Sequence, residues 1–243
     1  NYLYKKKLFT SVPSNIMKIV AVSDFIKKDL EKSFLCKYEI LRIYNAIDTD
    51  IFMPKQDENF SIREKYGFGN KTILMALATS WTERKGLIDY YKLREQLDDD
   101  YLIVLVGVDE RLKRKLPAGI IGIRNMSSVD ELTRLYSTAS IIMNLSSEES
   151  FGKTTPEGLS CGTPGIVYNC TSSPELIDSM TGIVVENGNI EGVKNAIEAI
   201  LKWDKNLTIN NCRNRVMNFF SIKKNWNEYL NLYENLSKNR NNA

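Results

Sequence analysis

Three stretches decide the fold: Ser140-Ile-Ile-Met-Asn-Leu145, Glu149-Ser-Phe-Gly-Lys-Thr-Thr-Pro-Glu157, and Gly165-Ile-Val-Tyr168 behind Cys161-Gly-Thr-Pro164. The first and third are short apolar runs bounded by turn residues, the pattern of buried strands. Between them a carboxylate stands at the carboxyl end of a strand. A glycine-containing turn then leads into a helix, and a second carboxylate occupies that helix's first turn. In open α/β sheets ligands gather at such strand ends. The backbone N–H groups of Gly152, Lys153 and Thr154, at the entry to the helix, are suited to phosphate oxygens.

Working outward, strands and helices alternate. Strands are expected at Ile16–Ser23, Glu39–Tyr44, Thr72–Ala78, Tyr101–Val108, Ile120–Arg124, residues 140–145, Gly165–Tyr168 and Gly182–Val185. Helices are expected at Asp24–Ser33 and Leu87–Leu97, after Ser128, and near Glu191–Leu201, Leu207–Phe219 and Ile222–Leu236. Ser128-Val-Asp-Glu131 is a capping-box signature, placing Val129, Leu132, Leu135 and Tyr136 on one apolar face. Pro54 to Asn59 reads as a linker, and the Asn-rich tail after Leu236 as disordered. Strands apolar at both parities, each followed by a helix, predict a parallel sheet covered on both faces. The fold class is α/β: a Rossmann-like doubly wound parallel sheet with added C-terminal helices.

Composition narrows the function. The 243 residues carry a net charge of +3, which demands no nucleic-acid partner. No apolar run approaches a membrane span and no signal peptide is read, so a cytoplasmic protein is expected. The four cysteines (Cys36, Cys161, Cys170, Cys212) lack metal-ligand spacing and read as reduced thiols. Histidine is absent. That excludes Ser-His-Asp and Cys-His nucleophiles and most catalytic zinc sites built within this chain.

The chain resembles the donor-binding half of the GT-B glycosyltransferases, in the large retaining family (family 4 type, group 1) that includes sucrose synthase and bacterial mannosyl- and glucosyltransferases. The resemblance runs from Ile16 to about Leu236. It rests on Val22-Ser-Asp-Phe25, Asn45-Ala-Ile-Asp48 with Phe52-x-Pro54, Glu83-Arg-Lys-Gly86, and the paired glutamates Glu149 and Glu157, in the family's order. It implies a further Rossmann-like acceptor domain, of which residues 1–44 are a remnant with the interdomain crossover. Residues 45–205 would be the nucleotide-sugar donor domain, and 206–243 the C-terminal helices and tail.

The resemblance assigns Lys85 to the leaving diphosphate, where a fixed cation meets growing negative charge. Glu157 would take the two ribose hydroxyls, and Glu149 would face the sugar near the anomeric centre. Glu149 and Lys85 are therefore the catalytic candidates. The donor-binding candidates are Glu157, Ser80, Arg84, Phe151, Gly152, Lys153, Thr154 and Arg124. Ser80 lies where many relatives carry a phosphate-binding arginine, and Arg84 either compensates or is a surface residue. Arg124 stacks on the base, touches a phosphate, or is an exposed strand end. Trp81 lines a cleft or packs in the core. Cys161 is read as packing, and Glu148 as the solvated neighbour of Glu149.

The leading function is a retaining hexosyltransferase moving a sugar from a nucleotide diphosphate sugar to a glycan or lipid-linked acceptor. A UDP-sugar is expected ahead of a GDP-sugar, although no side chain fixes the base. No metal and no other cofactor is expected, because Asp98-Asp-Asp100 precedes a strand and sits on the wrong edge. The alternative is a non-catalytic nucleotide-sugar-binding module that needs a partner acceptor domain. Lys5-Lys6-Lys7 leaves open a peripheral contact with an anionic membrane.

Overall fold

The computed structural model of the protein describes residues 2–55 and 62–241. Among the described residues eight strands run β1 Lys18–Ala21, β2 Glu39–Arg42, β3 Thr72–Leu77, β4 Tyr101–Val106, β5 Ile120–Ile123, β6 Ile141–Asn144, β7 Gly165–Tyr168 and β8 Gly182–Val185. The helices are α1 Tyr2–Thr10, α2 Asp24–Glu31, α3 Ile62–Tyr66, α4 Leu87–Gln96, α5 Glu110–Lys113, α6 Val129–Thr138, α7 Thr154–Ser160, α8 Ile190–Ile200, α9 Lys205–Phe219 and α10 Ile222–Asn241.

Six strands form one sheet in the order β5-β4-β3-β6-β7-β8, every pair parallel. From β3 the chain winds outward through β4 to β5. It then returns to the other side of β3 and winds outward again through β6, β7 and β8. The winding reverses between β3 and β6, and that switch point is where a doubly wound sheet opens a crevice. Both faces are buried, as the two-parity apolar strands require. Leu74, Ile103 and Tyr168 pack on one face with Tyr90 of α4 and Val193 and Ile197 of α8. Ile73, Met75 and Val104 pack on the other with Leu135 and Tyr136 of α6. A third cluster joins Phe151, Leu159 and Val167 to Val216 and Phe220 at the α9 end.

β1 and β2 stand apart as a two-stranded parallel sheet. The carboxylate of Glu175, in a 3₁₀ turn after β7, ties this unit to the larger one. It accepts the N–H groups of Asp24 and Phe25 at the start of α2, both at 2.8 Å. Arg213 of α9 donates to the carbonyls of Thr49, Phe52 and Ser160, pinning the crossover segment to the end of α7. Asn225 of α10 donates to Tyr44 O at 2.9 Å. No described helix is long and apolar enough to cross a membrane.

Expectations change at the face of α6, at its capping box and at the end of α10. Val129 is exposed, while Glu131 and Thr133 of the same helix are buried. The capping box forms by half: Ser128 Oγ accepts from Glu131 N, but the Glu131 carboxylate reaches Ser127 N and Oγ instead of Ser128 N. Lys65 and Tyr66 of α3 also bond it, which draws Glu131 inward at the apolar residue's expense. The helix expected to end near Leu236 continues to Asn241, since no Gly or Pro intervenes and extending a formed helix costs little. The linker expected from Pro54 to Asn59 lies, from residue 56 on, outside the described residues.

Candidate functional site

The switch point is where Lys85 and Glu149 meet. After β3 the chain makes a 3₁₀ turn, Glu83–Lys85, capped by Gly86 at φ +73. A side chain at Gly86 would place its Cβ 2.2 Å from Leu145 O, so only glycine lets this turn reach the end of β6. Ser147 N then donates to Arg84 O at 3.0 Å, joining the two loops. The result is an ion pair of 2.5 Å between Lys85 Nζ and Glu149 Oε1, with side chains 22% and 14% exposed. Glu149 is held by its backbone as well. Its N–H donates to Thr171 Oγ1 at 2.8 Å, and its carbonyl accepts from Ser172 Oγ at 2.9 Å. Thr171 is the one described non-glycine residue at positive φ, +48, a strained conformation held at the end of β7.

Glu157 lies one helical turn into α7, half-buried, with its Oε2 accepting from Tyr136 OH at 3.1 Å. Burial pushes its carboxyl above the usual range, and the Tyr136 hydrogen bond and Lys153 charge only partly oppose this. Tyr136 is fully buried, and its phenol is pushed far up by burial and by Glu157, so it remains a donor. Gly152, at φ +82, fits against Asn144 Nδ2 and the Glu149 side chain, which turns the chain from Glu149 into α7. The N–H groups of Gly152, Lys153 and Thr154 precede the first backbone bonds of the helix entry, Thr155 N to Gly152 O and Glu157 N to Lys153 O.

The remaining expected residues divide. Ser80 is exposed and lines a hollow of about 260 Å³ with Trp81, Arg111 and Lys115. Arg84 is exposed, with Glu148 at 3.8 Å, so Glu148 rather than Glu149 is the solvated carboxylate. Lys153 is exposed and Thr154 partly so. Arg124 is exposed at the end of β5, on a hollow of about 540 Å³ along that edge strand. Phe151 needs correction as a ligand-facing side chain. It is 1% exposed and packs against Tyr44 and Phe220, leaving only its backbone near the site. Trp81 donates to Val106 O at 2.9 Å and packs edge-on against Tyr90, the core alternative. Asp100 O accepts from Thr72 N at the amino-terminal edge of the sheet, opposite the site. Burial pushes the Cys161 thiol up to about 12, which removes it as a nucleophile. Among the described residues no group of three or more His, Cys, Asp or Glu side chains could hold a metal ion.

Sequence reasoning missed Tyr136 as the partner of Glu157 and Thr171 and Ser172 as the support of Glu149. The run Thr171-Ser172-Ser173 signals only a turn; its aim at Glu149 depends on β6 and β7 being neighbours.

Residues 57–215 match the model of the family described as "Glycosyl transferases group 1". The chain belongs to this family. The matched span takes in Lys85, Glu149 and Glu157. The chain is 23% identical over 192 residues to the N-acetyl-alpha-D-glucosaminyl L-malate synthase of Bacillus anthracis, covering 76% of this chain and 50% of that protein. It spans about half the length of the curated relatives it matches. Among solved structures it is similar to a glycosyltransferase from Rickettsia africae, with a TM-score of 0.77 and 27% identity, covering 96% of this chain and 67% of that one. HepE from Anabaena, solved with UDP and glucose, shares the fold at a TM-score of 0.76 and 15% identity, over 95% of this chain and 67% of that one. The six-stranded parallel sheet and these neighbours give the chain the Rossmann-like α/β fold of GT-B glycosyltransferases.

Proposed function

We propose that this chain is the donor-binding half of a retaining hexosyltransferase of the family 4 type, taking a nucleotide diphosphate sugar without a metal. The observation that carries this reading is the convergence of Lys85 and Glu149 across the switch point, with Glu157 in the helix that follows. Lys85 supplies positive charge to the diphosphate, joined by the N–H groups of Gly152, Lys153 and Thr154. On this reading Ser80 and Arg84, exposed in the loop after β3, add to the donor contacts. Glu157 receives the ribose hydroxyls, and a carboxylate already desolvated by the protein gains two O–H donors there. Glu149 receives the sugar hydroxyls. Arg124, beside β5, meets the base. We take a UDP-sugar ahead of a GDP-sugar as the donor; the Anabaena neighbour was solved with UDP, while a 23%-identical relative from Mycolicibacterium smegmatis is described as GDP-mannose-dependent.

On this reading residues 1–44 belong with a preceding acceptor domain and with the crossover. Residues 45–205 bind the donor, and the helices from 206 on close the unit. The acceptor, a glycan or a lipid-linked one, is read by that other domain, and the enzyme works in the cytoplasm, at most peripherally at the membrane.

The test is calorimetry of UDP and GDP binding in the presence of a chelator. Wild type should bind one of them, and Lys85→Ala should weaken it by about 1.5–3 kcal/mol, the scale of a charge-assisted hydrogen bond. Unchanged affinity would remove Lys85 from the site.

A further inference from the structure

The ammonium offered to a diphosphate is not a free charge. Lys85 Nζ lies 2.5 Å from Glu149 Oε1, both side chains are largely withdrawn from water, and both strand-end loops are braced. Gly86 is locked under Leu145 O, and Glu149 is tied at its N–H and its carbonyl to Thr171 and Ser172. Neither loop can draw away without breaking these contacts. A phosphate reaching Lys85 therefore meets a fixed carboxylate at contact distance from the same cation.

We propose that Glu149 is an internal competitor for Lys85 and thereby sets the selectivity of the site for the intact nucleotide sugar over the bare nucleoside diphosphate. The inference rests on the donor-site reading above. A bare diphosphate must share Lys85 with Glu149 and stand near a like charge, which weakens it. An intact donor brings sugar hydroxyls that bond the carboxylate, so Glu149 is satisfied by the ligand as Lys85 turns to the phosphate. Two effects follow from the one pair. Donor is preferred over the nucleotide product at equal concentration, and loss of the sugar restores the competitor, which speeds release of the diphosphate.

The experiment measures affinities of UDP and UDP-glucose, and of GDP and GDP-mannose, for wild type and for Glu149→Gln and Glu149→Ala. The pair that wild type binds is the one compared. With the competitor's charge removed, the bare diphosphate is expected to bind about tenfold tighter, the gain discounted for solvent screening of a partly exposed pair. The nucleotide sugar should bind no tighter, so the ratio favouring it collapses. The gain should vanish in Lys85→Ala/Glu149→Gln, because no cation remains to be freed. Two substitutions of different size, each checked by thermal melting, guard against misfolding of either. Diphosphate affinity unchanged or reduced in the folded variants overturns the inference and leaves the donor site standing. Lys85→Ala binding the diphosphate like wild type would remove the donor site and the inference together.

Discussion

Gly86 packs so closely on Leu145 that any Cβ at Gly86 would fall 2.2 Å from the Leu145 carbonyl oxygen. This contact closes the gap between the loop after β3 and the end of β6, and so brings Lys85 to Glu149. Gly86→Ala meets two costs, a left-handed backbone of about 1–2 kcal/mol and a clash with backbone that has no rotamer to escape into. The expected loss of stability is about 3 kcal/mol or more by urea denaturation. Nucleoside diphosphate affinity should fall as well, because the turn that carries Lys85 must move.

Glu157→Gln should separate stability from binding. Burial raises the Glu157 carboxyl's pKa, so the folded state holds its proton at pH values where the unfolded chain has released it. Stability from this group is therefore present at low pH and lost as pH rises through the raised value. Removing the ionisable group should raise the melting temperature at neutral pH relative to wild type, with the gain fading in acid. The same variant should lose about 1–3 kcal/mol of nucleotide affinity, because an amide replaces a charged acceptor. A variant less stable than wild type at neutral pH would contradict the assignment.

Glu131 behaves in the opposite sense. Burial pushes its carboxyl up, but hydrogen bonds from Lys65, Ser127 and Tyr66 outweigh that and hold it at about 2, against 4.5 ordinarily. A depressed carboxyl contributes stability above its unfolded value and loses it as pH falls through the folded one. Glu131→Gln should cost about 2 kcal/mol at pH 7, the scale of hydrogen bonds to a charged group, and the difference from wild type should close between pH 4.5 and about 2. Denaturant melts across that range read it directly.

Transfer should require more than these residues. Holding donor and acceptor together supplies several kcal/mol of a barrier, and the acceptor wall belongs to the preceding domain on the reading proposed here. The 243-residue chain is expected to bind donor yet transfer no sugar to candidate acceptors, with turnover appearing in a longer protein or with a partner chain. Steady turnover by the chain alone would place the acceptor site within it.

The six main strands were legible because each is a short apolar run, and that pattern is local in the chain. Gly165–Tyr168 and Gly182–Val185 coincide with the expected residues. Helix faces were less legible. Val129 matches an apolar period, yet the buried place went to Glu131, because α3 lies against that turn and supplies Lys65 and Tyr66. No pattern within residues 128–138 carries that information.

The eight-residue step from Glu149 to Glu157, with a glycine turn between them, by itself determined a strand end, a helix entry and two carboxylates on one side of a parallel sheet. It did so because strand and helix periods act within a few residues. Tertiary structure alone decided the rest. Phe151, inside that motif, turned into the core, because Tyr44 and Phe220 arrive there from distant segments. Tyr136 came to Glu157 from the neighbouring helix. Lys85 met Glu149 across a separation of 64 residues, because the winding of the sheet reverses between β3 and β6. Partners this far apart are chosen by strand order, and strand order is a property of the packed sheet that no single segment encodes.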